Sequence, residues 1–152
     1  YHHEFVGVNS RLDSIQAAIL DAKLPHLDEY IVARQQAAAF YDQAFEGNPY
    51  LLIPTREKQS SHVFHQYTLR LVNTDRDALR AALIEKGIPA MIYYPIPLHM
   101  QKAYNDPRYK KGDFPIAEKL AKCVLSLPMH TELDQEQLTY ITQEVLNFVN
   151  NQ

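Results

Sequence analysis

Asn9, Ser10 and Arg11 put an amide, a hydroxyl and a guanidinium on consecutive residues at the entrance to an amphipathic stretch. Such a set suits an anion, phosphate above all, when the free N–H groups and the positive dipole end of a helix lie beside it. Ser10 and Asp13 have the spacing of a capping box, in which Ser10 accepts from a first-turn N–H and Asp13 reaches back. That assignment leaves the Asn9 side chain spare. The same residues also suit a plain helix start, with Asn9 or Ser10 capping and Arg11 in water, and spacing alone leaves both readings open.

A second stretch, Tyr93-Tyr94-Pro95-Ile96-Pro97-Leu98-His99, delivers two phenols and an imidazole to the end of an expected strand, where two prolines fix the path. Binding sites are often built this way, although one tyrosine in the core and a His99 bonded to a buried carbonyl would look the same. His65 falls on the apolar face of its expected strand and reads as a hydrogen-bonded core histidine. The seven histidines do not have metal-site spacing: His2 and His3 are adjacent, and His62 and His65 lie on opposite strand faces. No metal site is therefore expected. Four scattered glycines exclude a glycine-rich phosphate cradle, and no nucleophile-elbow motif occurs.

The elements that must carry these residues follow from periodicity. A helix is expected over about 11–24 with Leu12, Ile15 and Ile19 on one face, and its small Ala17 and Ala18 would admit a close neighbour. Pro25 either kinks it or opens a second helix that runs to about Glu46 and stops at Gly47-Asn48-Pro49. Strands are expected at 51–54, 62–72, 88–94 and 124–127. Thr74 and Asp77 would cap a helix ending at Gly87, Pro115 opens another, and Asp134 with Gln137 caps the last. The long irregular stretch 95–113 is of the kind that usually carries function. The expected fold is α+β: a small, mainly antiparallel sheet with helices packed on one face, preceded by two long helices, in one domain over 1–152.

Composition bounds the function. The chain is 46% hydrophobic and 22% charged with a formal net charge of −3, so nothing points to nucleic acid. Cys123 is the single cysteine, which rules out an internal disulfide framework and suits a reducing, cytoplasmic compartment. No apolar run reaches the length of a membrane span, and no membrane role is expected. The chain begins Tyr1-His2-His3-Glu4 without an initiator methionine, so it is expected to be part of something longer.

Gly7 to Ala18 followed by Lys23-Leu24, then His65-Gln66-Tyr67, Gly87-Ile88, Tyr94 to His99, and Leu127-Pro128 with His130 together resemble the C-terminal part of the DegT/DnrJ/StrS family of sugar aminotransferases. The resemblance implies the aspartate aminotransferase fold, a pyridoxal 5'-phosphate cofactor and active sites at a homodimer interface. It implies that Asn9 binds the cofactor phosphate of the neighbouring subunit, that Arg11 belongs to the same helix-start region, and that Tyr94 and His99 border the nucleotide-sugar pocket. The lysine that anchors the cofactor, the aspartate facing its ring nitrogen and the stacking aromatic would all lie upstream, in an N-terminal large domain. None of the eight lysines here has that context. This chain alone is therefore expected to hold no cofactor and to be inactive, while the longer protein would transfer an amino group, from glutamate, to a nucleotide-linked keto-sugar destined for polysaccharide biosynthesis. Two further readings stay open: a non-catalytic regulatory relative, and the sugar dehydratase branch if histidine replaces the upstream lysine.

Overall fold

Three short strands that are far apart in sequence meet in one antiparallel sheet. The computed structural model describes residues 2–151, so Tyr1 and Gln152, the two ends of the expected 1–152 unit, lie outside the described residues. The sheet has the order β1 (Leu51–Leu52), β2 (Tyr67–Leu71), β3 (Val124–Leu127). β1 pairs Leu51 with Leu71, and β3 pairs Leu127 with Tyr67 and Val124 with Arg70. One sheet face carries Leu51, Tyr67, Leu69, Leu71, Leu125 and Leu127, all buried in the core. Strand alternation sends Thr68 and Ser126 to the other face, where their hydroxyls hydrogen-bond at 2.8 Å.

Three helices cover the core face. α2 (Leu27–Phe45) buries Ala37, Ala38, Tyr41 and Phe45. α3 (Arg76–Glu85) buries Leu79 and Leu83, and α5 (Gln135–Asn150) buries Leu138, Ile141, Val145 and Val149. The expected α+β architecture is thus present, including the two leading helices: α1 (Ser14–Lys23) is followed by a 3-10 turn at Leu24–His26 and then α2. Pro25 sits in that turn, where its missing N–H costs no helical bond. Pro115 begins α4 (Pro115–Cys123), and Asp134 and Gln137 form the expected reciprocal capping box of α5.

Four local expectations are corrected. The α3 cap is Asp75 rather than Thr74 with Asp77: its carboxylate accepts from the N–H groups of Asp77 (2.9 Å) and Ala78 (3.0 Å). The helix does close at Gly87, whose φ of +76° lets the Ile88 N–H reach the Leu83 carbonyl at 2.8 Å. The expected strand 62–72 is paired only over Tyr67–Leu71, because Phe64 has a left-handed φ of +48°. Its N–H donates to His62 Nδ1 at 2.9 Å, and the Arg56 guanidinium lies 4.3 Å from its ring centroid. This break puts Phe64 into the core and turns His65 outward, so His65 is an exposed residue and not a core histidine. Finally, 88–94 contributes a single bridge, Met91 to Ser126, consistent with Pro89 keeping it at the sheet margin.

Candidate functional site

The start of α1 differs from the capping box expected at Ser10. The cap is Asp13, whose carboxylate accepts from the Gln16 N–H at 2.8 Å while Gln16 Oε1 accepts from the Asp13 N–H at 3.3 Å. Both spacings are present in the sequence, Ser-x-x-Asp and Asp-x-x-Gln. The longer Gln side chain reaches back where Asp does not, and the second box wins. Two consequences follow for Asn9. It lies four residues before the cap, in an irregular arm outside the helix. A carboxylate also already occupies the positive end of the helix, so the helix terminus itself is not the anion site.

Asn9 and Arg11 are nevertheless brought together. The Arg11 guanidinium Nη1 donates to Asn9 Oδ1 at 2.8 Å, and both side chains are exposed. With its oxygen engaged, the Asn9 amide presents its N–H₂ outward beside a fixed positive charge. That pair has the donor chemistry a phosphate requires. The surrounding chain is bare. α1 has no buried residue, and Leu12, Ile15, Ile19, Leu20 and Leu24 are all exposed, Ile15 by 76%.

The second expected stretch forms a separate surface. Tyr94 is exposed and lines an open cavity of about 550 Å³ together with Tyr93, Ile96, Leu98 and Gln101. His99 points the other way, into a cavity of about 480 Å³ walled by Tyr104, Tyr109 and Phe114. Leu98 and Ala117 belong to both cavities, so the two are adjacent. His99 packs on the Phe114 ring with centroids 4.8 Å apart, and its Nε2 is 3.1 Å from a Glu118 oxygen. Only 8% of the His99 side chain and 14% of that of Glu118 remain exposed. The same Glu118 oxygen accepts from the Gly112 N–H at 2.7 Å. That backbone bond first, and His99 after it, hold the Glu118 carboxyl below the usual carboxylate range.

Two residues that the sequence did not single out join these pieces. Glu118 reads locally as an acid in the first turn of α4, and its partners arrive only because the 98–114 loop folds back. Gln101 reads as one polar residue in a polar loop, yet it is buried. Its Oε1 accepts from the His3 N–H at 3.0 Å, and its Nε2 donates to the Ile96 carbonyl at 3.2 Å. The Ala103 N–H donates to the His3 carbonyl at 3.0 Å. The arm that leads to Asn9 is therefore docked on the loop that carries Tyr94 and His99. Among the described residues no group of three or more His, Cys, Asp or Glu side chains is placed to hold a metal, and no helix is long and apolar enough to cross a membrane.

A docked arm carrying the Asn9–Arg11 pair thus lies beside an aromatic-walled loop on a small α+β sheet. The sequence profile of the DegT/DnrJ/EryC1/StrS aminotransferase family matches residues 1–146. The chain belongs to that family. It is 46% identical over 150 residues to the pleiotropic regulatory protein of Geobacillus stearothermophilus, covering 97% of this chain and 40% of that protein. It is 45% identical over 141 residues to the UDP-N-acetyl-3-dehydro-alpha-D-glucosamine 3-aminotransferase of Acidithiobacillus ferrooxidans, covering 93% and 37%. Among solved structures it resembles Streptomyces venezuelae DesV in complex with ketimine intermediate, with a TM-score of 0.84 and 37% identity over 97% of this chain and 39% of that one. The chain thus spans about two-fifths of the length of the curated relatives it matches.

Proposed function

We propose that this chain is the C-terminal small domain of a cytoplasmic, homodimeric aminotransferase that uses pyridoxal 5'-phosphate to move an amino group from glutamate to the keto group of a nucleotide-linked sugar. The observation that carries this reading is the Asn9–Arg11 pair: a phosphate-type donor set on an arm and helix whose large apolar side chains are each more than half exposed among the described residues. Arg11 fixes the amide and adds charge, and Asn9 donates to the phosphate of the neighbouring subunit's cofactor. Tyr94 and His99 lie on the substrate side. The rings of Tyr104, Tyr109 and Phe114 beside His99 are exposed and offer faces on which a nucleobase stacks. When bound, pyridoxal phosphate supplies the electron sink for transamination. The eight lysines of this chain are all exposed, so the lysine that carries the cofactor is assigned to a large domain preceding this one. The isolated chain is accordingly assigned no activity.

The test is to supply the complete enzyme with a nucleotide-linked keto-sugar and glutamate and to follow formation of 2-oxoglutarate. Turnover by the complete enzyme and none by this chain alone supports the reading; no 2-oxoglutarate from the complete enzyme with any nucleotide keto-sugar rejects it. A second reading is favoured by the name of the Geobacillus relative, a regulatory protein. It would hold if the preceding domain lacked the cofactor lysine; histidine in that place would instead indicate the dehydratase branch.

A further inference from the structure

We propose that Gln101 is a positioning residue for the cofactor-phosphate contact: by gripping His3 it tethers the arm that presents Asn9 to the loop that presents Tyr94 and His99. This rests on the assignment of Asn9 to the phosphate. Gln101 is 5% exposed, whereas Met100 and Lys102 on either side of it are exposed. A buried primary amide is retained only where both its ends find partners. Here they belong to segments with different tasks: the Oε1 partner is the His3 N–H of the arm, and the Nε2 partner is the Ile96 carbonyl between Tyr94 and His99. The Ala103 N–H closes a second bond to His3, and an exposed Lys102–Glu4 ion pair at 3.5 Å adds little.

The tether matters because nothing else of the arm is buried: residues 2–13 are all exposed. Asn9 lies six residues beyond His3 and four before the Asp13 cap. With both ends fixed, the segment searches a small volume; without the Gln101 bond it is held at His3 by the Ala103 N–H alone and searches a larger one. Ordering it would then fall on the binding step and weaken the affinity.

The experiment uses the complete enzyme, with pyridoxal 5'-phosphate as the probe, and reads its dissociation constant, amide hydrogen exchange over residues 4–10 and the melting temperature of the cofactor-free protein. His3→Pro removes the N–H that Gln101 accepts from and leaves the Gln101–Ile96 bond in place; because it also deletes an imidazole that lines the Tyr94 cavity, His3→Ala, which keeps the N–H, is the control and should bind like the parent. Gln101→Leu removes both bonds and serves as the second variant, since it also strands the Ile96 carbonyl. Both variants should weaken binding about tenfold and speed exchange over 4–10, and His3→Pro should leave the melting temperature unchanged. Because the tether acts through Asn9, the double variant His3→Pro/Asn9→Ala should bind no worse than Asn9→Ala alone. Unchanged affinity in His3→Pro, or losses that add in the double variant, overturns the proposal while leaving the phosphate assignment standing. An Asn9→Ala variant that binds as tightly as the parent removes the phosphate assignment, and the tether with it.

Discussion

Replacing Asn9 separates a ligand contact from a structural one with unusual clarity, because the residue has no structural work inside the chain. Among the described residues its side chain makes one hydrogen bond, accepted from Arg11 at 2.8 Å, and both partners are exposed. Asn9→Ala should therefore change the unfolding free energy of the chain by no more than about 0.5 kcal/mol, the usual range for a surface position. Toward a phosphate the balance is different. With Oδ1 engaged by Arg11, the two Nδ2 hydrogens are left to donate to an anion. A hydrogen bond to a charged acceptor is worth about 1.5–3 kcal/mol, which is roughly a 10- to 150-fold rise in dissociation constant. Asn9→Asp sharpens the test. The carboxylate still accepts from Arg11, but it has no donor for the phosphate and sets a second negative charge beside it, so its loss should exceed that of alanine. Titration of the cofactor-free complete enzyme with pyridoxal 5'-phosphate, alongside urea unfolding of this chain, reads both quantities. Aspartate binding as tightly as asparagine, or an affinity loss matched by an equal loss of stability, would refute the argument.

Tyr67→Phe keeps a fully buried ring but deletes the hydroxyl that donates to Asp42 Oδ1 at 2.8 Å; with Arg56 still paired to Asp42, the cost should be about 1–2 kcal/mol in urea unfolding. Leu125→Ala empties the centre of the sheet's core face and should cost about 2–5 kcal/mol in the same assay. The Glu118 carboxyl is held below its ordinary value of 4.5 by the Gly112 N–H and then by His99. Its contribution is therefore complete above that ordinary value and is lost as pH falls through the depressed one, so the protection factor of the Gly112 amide, its exchange rate normalised to the intrinsic rate at each pH, should fall there and hold steady above the ordinary value. Ile15→Glu places a charge on the uncovered face of α1; the chain's own stability should stay within about 0.5 kcal/mol, while the complete enzyme should shift toward monomer in sedimentation velocity.

The elements that the sequence specified well are those whose signals are local. Pro115 at a first helical position, the Asp134–Gln137 box and the apolar run Val124–Leu127 each determine a boundary within a few residues, and each boundary appears where expected. The strand 62–72 failed for a non-local reason. Its alternation continues through His65 on paper, but the left-handed Phe64 is held by its burial in the core and by the Arg56 guanidinium, which arrives from an earlier loop. Arg56 lies eight residues upstream, outside the alternating stretch, and nothing in the pattern ties the two together. The same limit applies to the site. Asn9 and Arg11, two residues apart, were legible as a pair. The His99–Glu118 contact, 19 residues apart, and the His3–Gln101 contact, 98 apart, required the fold.

The displaced cap changes the physical basis of the anion recognition proposed for Asn9. A phosphate held at a helix start is bound by backbone N–H groups and the macrodipole, which come with the helix and need no separate positioning. Here Asp13 takes the first-turn N–H of Gln16 and puts a negative charge at that end, so those contributions are not available to a ligand at Asn9. Recognition then depends on side-chain donors carried by an exposed arm. Such donors hold no fixed position of their own, and their affinity depends on whatever orders the arm. In this structure the ordering elements are the Arg11 guanidinium, two residues away, and, at His3, the buried Gln101 amide together with the Ala103 N–H. A helix-start site would tolerate loss of the Gln101 contact; an arm-borne site would not, and that difference in sensitivity distinguishes the two modes of binding.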